Sequence, residues 1–138
     1  MKNLSFIIML IAVCSVSVLA QTKKFRVDIT TAGNDPQIEN EARSYLAREL
    51  RSLGDVEVVE NGDFTVNVTV FKISNNAGVV GYAISFQYLE NITCQGKEYA
   101  NKLDGGLHVT DPQGLRRMLE STITLFDTRI LEKRRKSK

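Results

Sequence analysis

Two stretches in the middle of the chain, 64–70 and 80–88, alternate strictly between large apolar residues and small or neutral polar residues. A period of two is typical of β-strands that bury one face and leave the other in water. The large positions are mainly valine, isoleucine, phenylalanine and tyrosine, which fit such strands. The pattern therefore predicts an antiparallel sheet that helices cover on one side only.

Two amphipathic helices are predicted on either side of these strands in the chain. The first has Asp35 as a natural N-cap, Pro36 at the first helical position and Gly54 just past its end. The second has Asp111 and Pro112 in the same roles, followed by an apolar stripe that continues into residue 130. Both stripes are suited to cover the apolar face of one sheet.

The remaining segments complete the predicted order of elements. Residues 25–30 alternate as a first strand, and a three-residue loop at 61–63 is predicted to join two strands as a hairpin that pairs Val58 with Val66. Residues 93–106 show little pattern and are interpreted as a loop before a short strand at 107–109. The order is β-α-β-β-β-(β)-α, an α/β fold of the α+β type. It is a two-layer sandwich with a mainly antiparallel sheet of four or five strands and two helices on one face.

The first twenty residues have the composition of a secretory signal. Lys2 supplies the positive start, a mainly apolar segment of 15 residues follows from Leu4 to Val18, and the small or modest residues Ala20 and Val18 stand at positions −1 and −3 of the cleavage site. We therefore predict cleavage between Ala20 and Gln21, with export to the periplasm or the extracellular medium. The apolar segment is shorter than the roughly 20 residues of a spanning helix, and an uncleaved anchor is the alternative.

Cleavage would leave 118 residues, 21–138, which is the size of one domain. Of the two cysteines, Cys14 would leave with the signal, so Cys94 has no partner for a disulfide within the chain. The stability of the exported form must then come from a packed core.

In element order the chain resembles the small α/β domains of bacterial envelope accessory proteins, such as the N-terminal domain of the Tol-system propeller protein. The resemblance rests on the β-α-β-β-β-(β)-α arrangement and on its position behind an export signal. The export signal, the small residues on one face of the predicted sheet and the lack of a catalytic constellation together predict an exported, non-enzymatic domain that binds or helps to assemble another component of the cell envelope.

The basic C-terminal tail, residues 132–138, raises the question of a polyanionic partner. The last ten residues carry six basic side chains and one acidic, whereas the rest of the exported chain is mildly acidic. No aromatic residue lies among these charges for base stacking, so nucleic acid is not expected as a partner. The tail is interpreted as a solvated helix end. A weak contact with an anionic surface is the alternative, through Lys133, Arg134, Arg135 and Lys136.

Few residues offer catalytic chemistry. A small secreted hydrolase that uses Cys94 as nucleophile and His108 as base is the alternative function, because these are the residue types of a thiol–imidazole pair. One histidine and one cysteine are too few for a typical zinc site, and no glycine-rich phosphate loop occurs. No metal and no cofactor are therefore expected.

One apolar group interrupts the polar face of the predicted sheet. Phe71, Ile73 and Val79 are predicted on that face, with Phe71 opposite Val79 across the second hairpin. They require a cover, which is either the chain's own loop at 93–106, its C-terminal segment, or a partner. As a contact surface, these three residues are the candidate site of an exported binding or assembly domain.

Overall fold

The computed structural model describes residues 24–137. The predicted signal segment and its cleavage site between Ala20 and Gln21 lie outside the described residues. The part described has a single hydrophobic core, to which both its strands and its helices contribute.

Five strands form one sheet. They are β1 (Phe25–Gly33), β2 (Val56–Val58), β3 (Phe64–Asn75), β4 (Gly78–Cys94) and β5 (Lys97–Thr110). The helical segments are α1 (Pro36–Ser52), α2 (Leu115–Phe126), a π-helical turn (Asp127–Leu131) and α3 (Glu132–Lys136).

The sheet is mixed, with strand order β2-β1-β3-β4-β5. Strand β1 runs parallel to both of its neighbours, β2 and β3, whereas β3, β4 and β5 pair antiparallel in succession. The predicted α+β sandwich is confirmed, and the sheet within it is mixed rather than purely antiparallel.

The alternating residues of the strands point their large side chains toward the helices. The strand residues of the core are Phe25, Val27, Ile29, Val56, Phe64, Val66, Val68, Val70, Tyr82, Ile84, Phe86 and Tyr88. Against them lie the buried helical residues Ala42, Leu46, Leu50, Leu115, Leu119, Thr122, Ile123, Phe126 and Leu131. The opposite face of the sheet, called the open face here, carries no helix among the described residues.

The predicted hairpin between β2 and β3 is wrong, because β1 lies between these two strands. Val27 of β1 pairs with Val58 on one side and with Phe64 on the other, so the chain crosses β1 between them. Gly62 lies at this crossing, where an added Cβ would come within 2.7–2.8 Å of the β1 backbone at Arg26 and Asp28. The glycine is required there for close approach of two backbones rather than for a bulged hairpin.

The predicted start of α1 is confirmed and that of α2 is wrong by three residues. Asp35 Oδ1 accepts hydrogen bonds from the backbone N–H of Gln37 at 3.0 Å and of Ile38 at 3.3 Å, as an N-cap does. Asp111 instead accepts from Gln113 N–H within a turn, and α2 begins only at Leu115.

The end of α2 contains a π-helical turn that brings residues five apart onto one side. Phe126 and Leu131 are both fully buried as a result. The apolar stripe had indicated Ile130 as its last core position, and the wider turn moves that position to Leu131. Beyond it, α3 continues along the domain.

Residues 93–106 are not the predicted loop. They belong to a long hairpin in which β4 extends to Cys94 and β5 starts at Lys97. Strand β3 begins at Phe64, opposite Glu90, and Ile92 pairs with Tyr99, so the hairpin residues 92–99 extend past the rest of the sheet. This projecting part, called the arm here, is exposed throughout.

Candidate functional site

The part of the open face that lies away from the arm carries no charged side chain. Its residues come from four neighbouring strands and are Thr30, Ala32, Asn67, Thr69, Phe71, Ile73, Gly81, Ala83, Ser85, Gln87, Gly105, Leu107 and Val109. These thirteen residues, called the uncharged face here, lie in a chain of which 25% of the residues are charged. The next row of the sheet already has Asp28 at one side and Lys102 at the other.

The uncharged face has relief, because large and small residues lie on different strands. Phe71 and Val109 flank Ala83, the residue between them on β4. In the next rows β4 contributes Ser85, which is small, and Gly81, which is buried against the Thr110 carbonyl at the end of β5. Since neighbouring strands are about 4.8 Å apart, two apolar ridges on β3 and β5 are separated by about 10 Å. A shallow groove over β4 lies between them.

The three apolar residues proposed from the sequence are exposed. Phe71 is 49% exposed, and Ile73 and Val79 are 40% exposed each. The register differs from the predicted one, because Phe71 pairs with Ala83, while Val79 pairs with Ser74 beside a bulge. Ser74 has the phase of the helix-side residues of β3, so the prediction that Val79 shares a face with Phe71 and Ile73 is wrong. The expected cover by a loop at 93–106 is absent from the described residues, since that segment is itself part of the sheet.

Two further apolar residues belong to the same surface and were missed in the sequence. Leu107 is 69% exposed and Val109 is 70% exposed, more than any of the three predicted residues. Their alternation with His108 was visible as a short strand. What placed them beside Phe71 was the pairing of β5 with β4, which the pattern did not specify.

Strand β5 is also an edge of the sheet. It is 14 residues long and its outer side pairs with no strand among the described residues, whereas the opposite edge strand, β2, has three residues. Long edges with exposed apolar side chains are the places at which sheets contact other chains. The ridge of Leu107 and Val109 therefore lies where a partner has access.

Cys94 and His108 are far apart. Cys94 pairs with Lys97 at the end of the arm, and His108 pairs with Ile84 ten residues earlier on β4. Ten residues of a strand span about 33 Å. The two side chains therefore form no nucleophile–base pair, and the arrangement on which the hydrolase alternative depends is not present.

His108 lies on the helix side of β5. Its imidazole stacks on Phe86, with ring centroids 5.2 Å apart and planes inclined by 13°. Nε2 is buried and has no hydrogen-bond partner within residues 24–137. The stacked geometry indicates a packing role at the end of the core.

The tail is not a free solvated end. Arg135 donates to both carboxylate oxygens of Asp55, at 2.7 and 2.9 Å, and lies 2.7 Å from Asp127. The Asp55 carboxylate holds the pKa of the Arg135 guanidinium above its ordinary value. Arg134 donates to Glu90 at 2.6 Å. Two of the four cations proposed for an anionic surface are thus paired with this chain's own carboxylates.

The other two proposed cations, Lys133 and Lys136, are exposed on α3. Lys136 lies 3.7 Å from Glu132 one helical turn earlier, a pair that is largely in water. A contact of these two lysines with an anionic surface stays a prediction.

A second recess lies where the arm leaves the sheet, with a volume of about 490 Å³. It is lined by polar and charged residues of the crossing and the arm, including an ion pair of 3.9 Å between Arg26 and Asp63. Asn91 closes one side by donating to Gly62 O and to Thr65 Oγ1. These hydrogen bonds and the ion pair join the residues that line the recess to one another.

Within residues 24–137, no three histidine, cysteine, aspartate or glutamate side chains lie close enough together to hold a metal ion. Of the helices in this part of the chain, none has the length and apolar character needed to cross a bilayer.

No protein-family model matches this chain, and no curated protein matches it in sequence. Its fold is similar to that of the hypothetical protein CT253 from Chlamydia trachomatis, with a TM-score of 0.56 at 10% identity, over 79% of this chain and 99% of that one. A PelC dodecamer from Paraburkholderia phytofirmans has a TM-score of 0.49 at 17% identity, over 80% and 91% of the two chains. The rare lipoprotein B from Shewanella oneidensis has a TM-score of 0.32 at 12% identity, over 79% and 96%. The likeness to CT253 concerns the fold alone.

Proposed function

We propose that this protein is an exported, non-enzymatic domain of the cell envelope that binds or helps to assemble another chain through its uncharged face. The observation that carries the proposal is the exposure of four apolar side chains on two ridges of that face: Phe71, Ile73, Leu107 and Val109. Burying one such side chain fully contributes about 1.5–3 kcal/mol.

The contrast between the two sides of the sheet supports this role. On the helix side, the large strand residues of the core are 8% exposed or less. The uncharged face on the other side is neutral and largely accessible, which suits a surface that is covered only when a partner arrives. Export is supported by the composition of residues 1–20.

One experiment on the native envelope tests the proposal. The chain recovered from the exported fraction should have the mass of a protein that begins at Gln21, and it should migrate in a native extract as part of a larger assembly. Phe71→Ser should shift it to the size of the free domain, because the ridge on β3 loses its largest contact. The matched control is Ile92→Ser, which changes an apolar residue of the arm that is 42% exposed and lies outside the uncharged face.

A chain that is found only in the cytosol and begins at Met1 would contradict the export part of the proposal. If Phe71→Ser and Ile92→Ser leave the native size equally unchanged, the uncharged face does not hold the partner.

A further inference from the structure

The described chain begins at the end of the sheet from which the arm projects, called the arm end here. Strand β1 starts at Phe25. Two residues later Val27 pairs with Phe64, and Phe64 pairs with Glu90 just before the arm. The residues that precede Lys24 therefore join the domain beside the arm.

This attachment brings the arm end close to a membrane during export. The apolar segment of the predicted signal ends at Val18, and a secretory signal is inserted in the membrane while its chain is exported. Six residues lead from Val18 to Lys24, and a fully extended chain of that length reaches about 20 Å. As long as the signal is attached, the arm end cannot move further than this from the bilayer.

The C-terminal helix α3 lies at the arm end as well, on the helix side of the sheet. Arg135 pairs with Asp55, which immediately precedes β2. Arg134 donates to Glu90 at 2.6 Å, where the arm begins. These two contacts fix α3 beside the arm, and the two exposed lysines of α3 face solvent there.

The arm presents an apolar pair and a cation on the same side as α3. Side chains alternate along a strand, so Ile92 has the phase of Glu90, whose carboxylate meets Arg134 on the helix side. Tyr99 pairs with Ile92 and shares this phase, as does Lys97. Ile92 is 42% exposed and Tyr99 is 54% exposed. An aliphatic residue, a tyrosine and lysines are the composition of surfaces that lie at the membrane–water interface.

The exposed carboxylates near the arm end belong to other surfaces. Glu57 has the phase of the open face, because it pairs with Arg26. Glu98 has the same phase, since it alternates with Lys97 and Tyr99 along the arm. Glu60 and Asp63 lie in the crossing segment, where Asp63 forms its ion pair with Arg26.

Positive charge is left over on the helix side of the arm end. Asp55 and Glu90 are already paired with the arginines of α3. Within residues 24–137, Lys97 and Lys133 form no ion pair, and Lys136 has only its water-exposed contact with Glu132. This surface is therefore complementary to negative charge.

We propose that the helix side of the arm end docks on an anionic lipid surface. Lys97, Lys133 and Lys136 contact the headgroups, and Ile92 and Tyr99 reach the boundary between headgroups and acyl chains. A soluble polyanion would use the same cations but would leave the apolar pair in water. Because the uncharged face lies on the other side of the sheet, a domain docked in this way still presents that face to a partner.

Co-sedimentation of the exported protein with lipid vesicles tests this contact. Vesicles of phosphatidylglycerol and phosphatidylcholine in equal parts should bind the protein, and vesicles of phosphatidylcholine alone should bind it at least about tenfold more weakly. Lys97→Gln with Lys133→Gln should lower the partition coefficient for the anionic vesicles at least about tenfold, since each lysine near such a surface contributes about fivefold. Lys102→Gln is the matched control, because it removes an exposed lysine of the same strand on the open face. It should change the coefficient less than about twofold.

The side that meets the lipid is measurable by fluorescence, because the chain contains no tryptophan. Tyr99→Trp adds one indole to the arm, and its emission should shift to shorter wavelength with anionic vesicles and be quenched by brominated acyl chains. Phe71→Trp places the indole on the uncharged face, where the emission should stay that of an indole in water. Tyr99 and Phe71 are similarly exposed, at 54% and 49%, so both variants should keep the fold.

Protein that fails to bind the anionic vesicles would overturn the proposal, as would binding that Lys97→Gln with Lys133→Gln leaves unchanged. Quenching of the indole at position 71 but not at position 99 would show that the other side of the sheet meets the lipid. Equal binding to heparin, with no spectral shift at position 99 on vesicles, would assign the cations to a soluble polyanion instead. The assembly that Phe71→Ser tests in the native extract is measured without vesicles, so failure of the lipid contact leaves the proposed function standing.

Discussion

Asp35 and Asp104 are each held beside a cation, one at the start of α1 and the other at the edge strand. Asp35 accepts a hydrogen bond from the ammonium group of Lys72, which holds the pKa of its carboxyl below the usual value of 3.8. Arg129 donates to Asp104 at 2.8 Å and lowers the pKa of that carboxyl from the same value. Both groups therefore link the stability of the fold to pH.

The direction of that dependence follows from the lowered values. Well above pH 3.8 both carboxyls are charged in either state and their contribution is complete. As the pH falls toward and below 3.8, the unfolded chain takes up protons first and the folded state loses stability. Asparagine at both positions removes the titration and keeps an N-cap acceptor at 35. Asp35→Asn with Asp104→Asn should be less stable than the wild type at neutral pH and should lose less stability on acidification.

Urea unfolding at a series of pH values between 7 and about 2 measures the difference. The free energies of unfolding of the two proteins should converge at the acid end, where the wild-type carboxyls are protonated as well. Parallel curves over the whole range would show that neither ion pair contributes to folding.

At the level of elements, the crossing of β1 by the segment between β2 and β3 depends on one glycine. Gly62→Ala would place a methyl group within 2.7–2.8 Å of the β1 backbone, which is held by pairing with β2 and β3 on both sides. We expect a loss of about 3 kcal/mol in the free energy of unfolding, measured by chemical denaturation. Asn61→Gly is the control in the same segment: Asn61 has a φ of 54°, which glycine adopts without strain, so stability should change by less than about 0.5 kcal/mol. Equal losses in the two variants would argue against a close crossing.

This crossing also shows what the sequence determines about the sheet. Alternation in β3 and β4 specifies which side chains face the core, and the burial of Val66, Val68, Ile84 and Phe86 follows it. Any neighbouring strand whose large side chains point to the same side of the sheet satisfies this alternation. The pattern therefore did not distinguish a β2–β3 hairpin from an arrangement in which β2 and β3 lie on either side of β1. Neighbour choice depends on contacts between distant segments, which a single-strand pattern does not contain.

The sequence likewise predicted only part of the candidate site. Phe71 and Ile73 were recognisable, because they break the polar alternation of their own strand. Leu107 and Val109 became part of the site only through the pairing of β4 with β5. The arm gave no signal at all, since both of its faces are exposed and nothing imposes an alternation on it.

Over the whole molecule, charge is distributed by side of the sheet. The acidic body and the basic C-terminal region meet on the helix side and at the sheet edge, where Arg129, Arg134 and Arg135 pair with carboxylates from three different parts of the chain. The excess of acidic residues before position 129 thus has a partner within the same domain. None of these three ion pairs involves a residue of the uncharged face.

Because the two faces of the sheet differ in this way, the same new charge at two adjacent positions of β4 should have opposite effects on the stability of the domain. Ile84 is fully buried against the helices, so Ile84→Asp would place an unpaired carboxylate in the core, at a cost of several kcal/mol, and should unfold the domain. Ser85 lies on the groove floor of the uncharged face, so Ser85→Asp should keep the melting temperature of the single chain, measured by circular dichroism at high dilution. The same variant should migrate at the size of the free domain in a native extract, because a contact through the uncharged face would have to bury an unpaired carboxylate. If Ser85→Asp lowered the melting temperature of the single chain as much as Ile84→Asp does, the open face would be part of the domain's own core, and no partner would be needed to cover it.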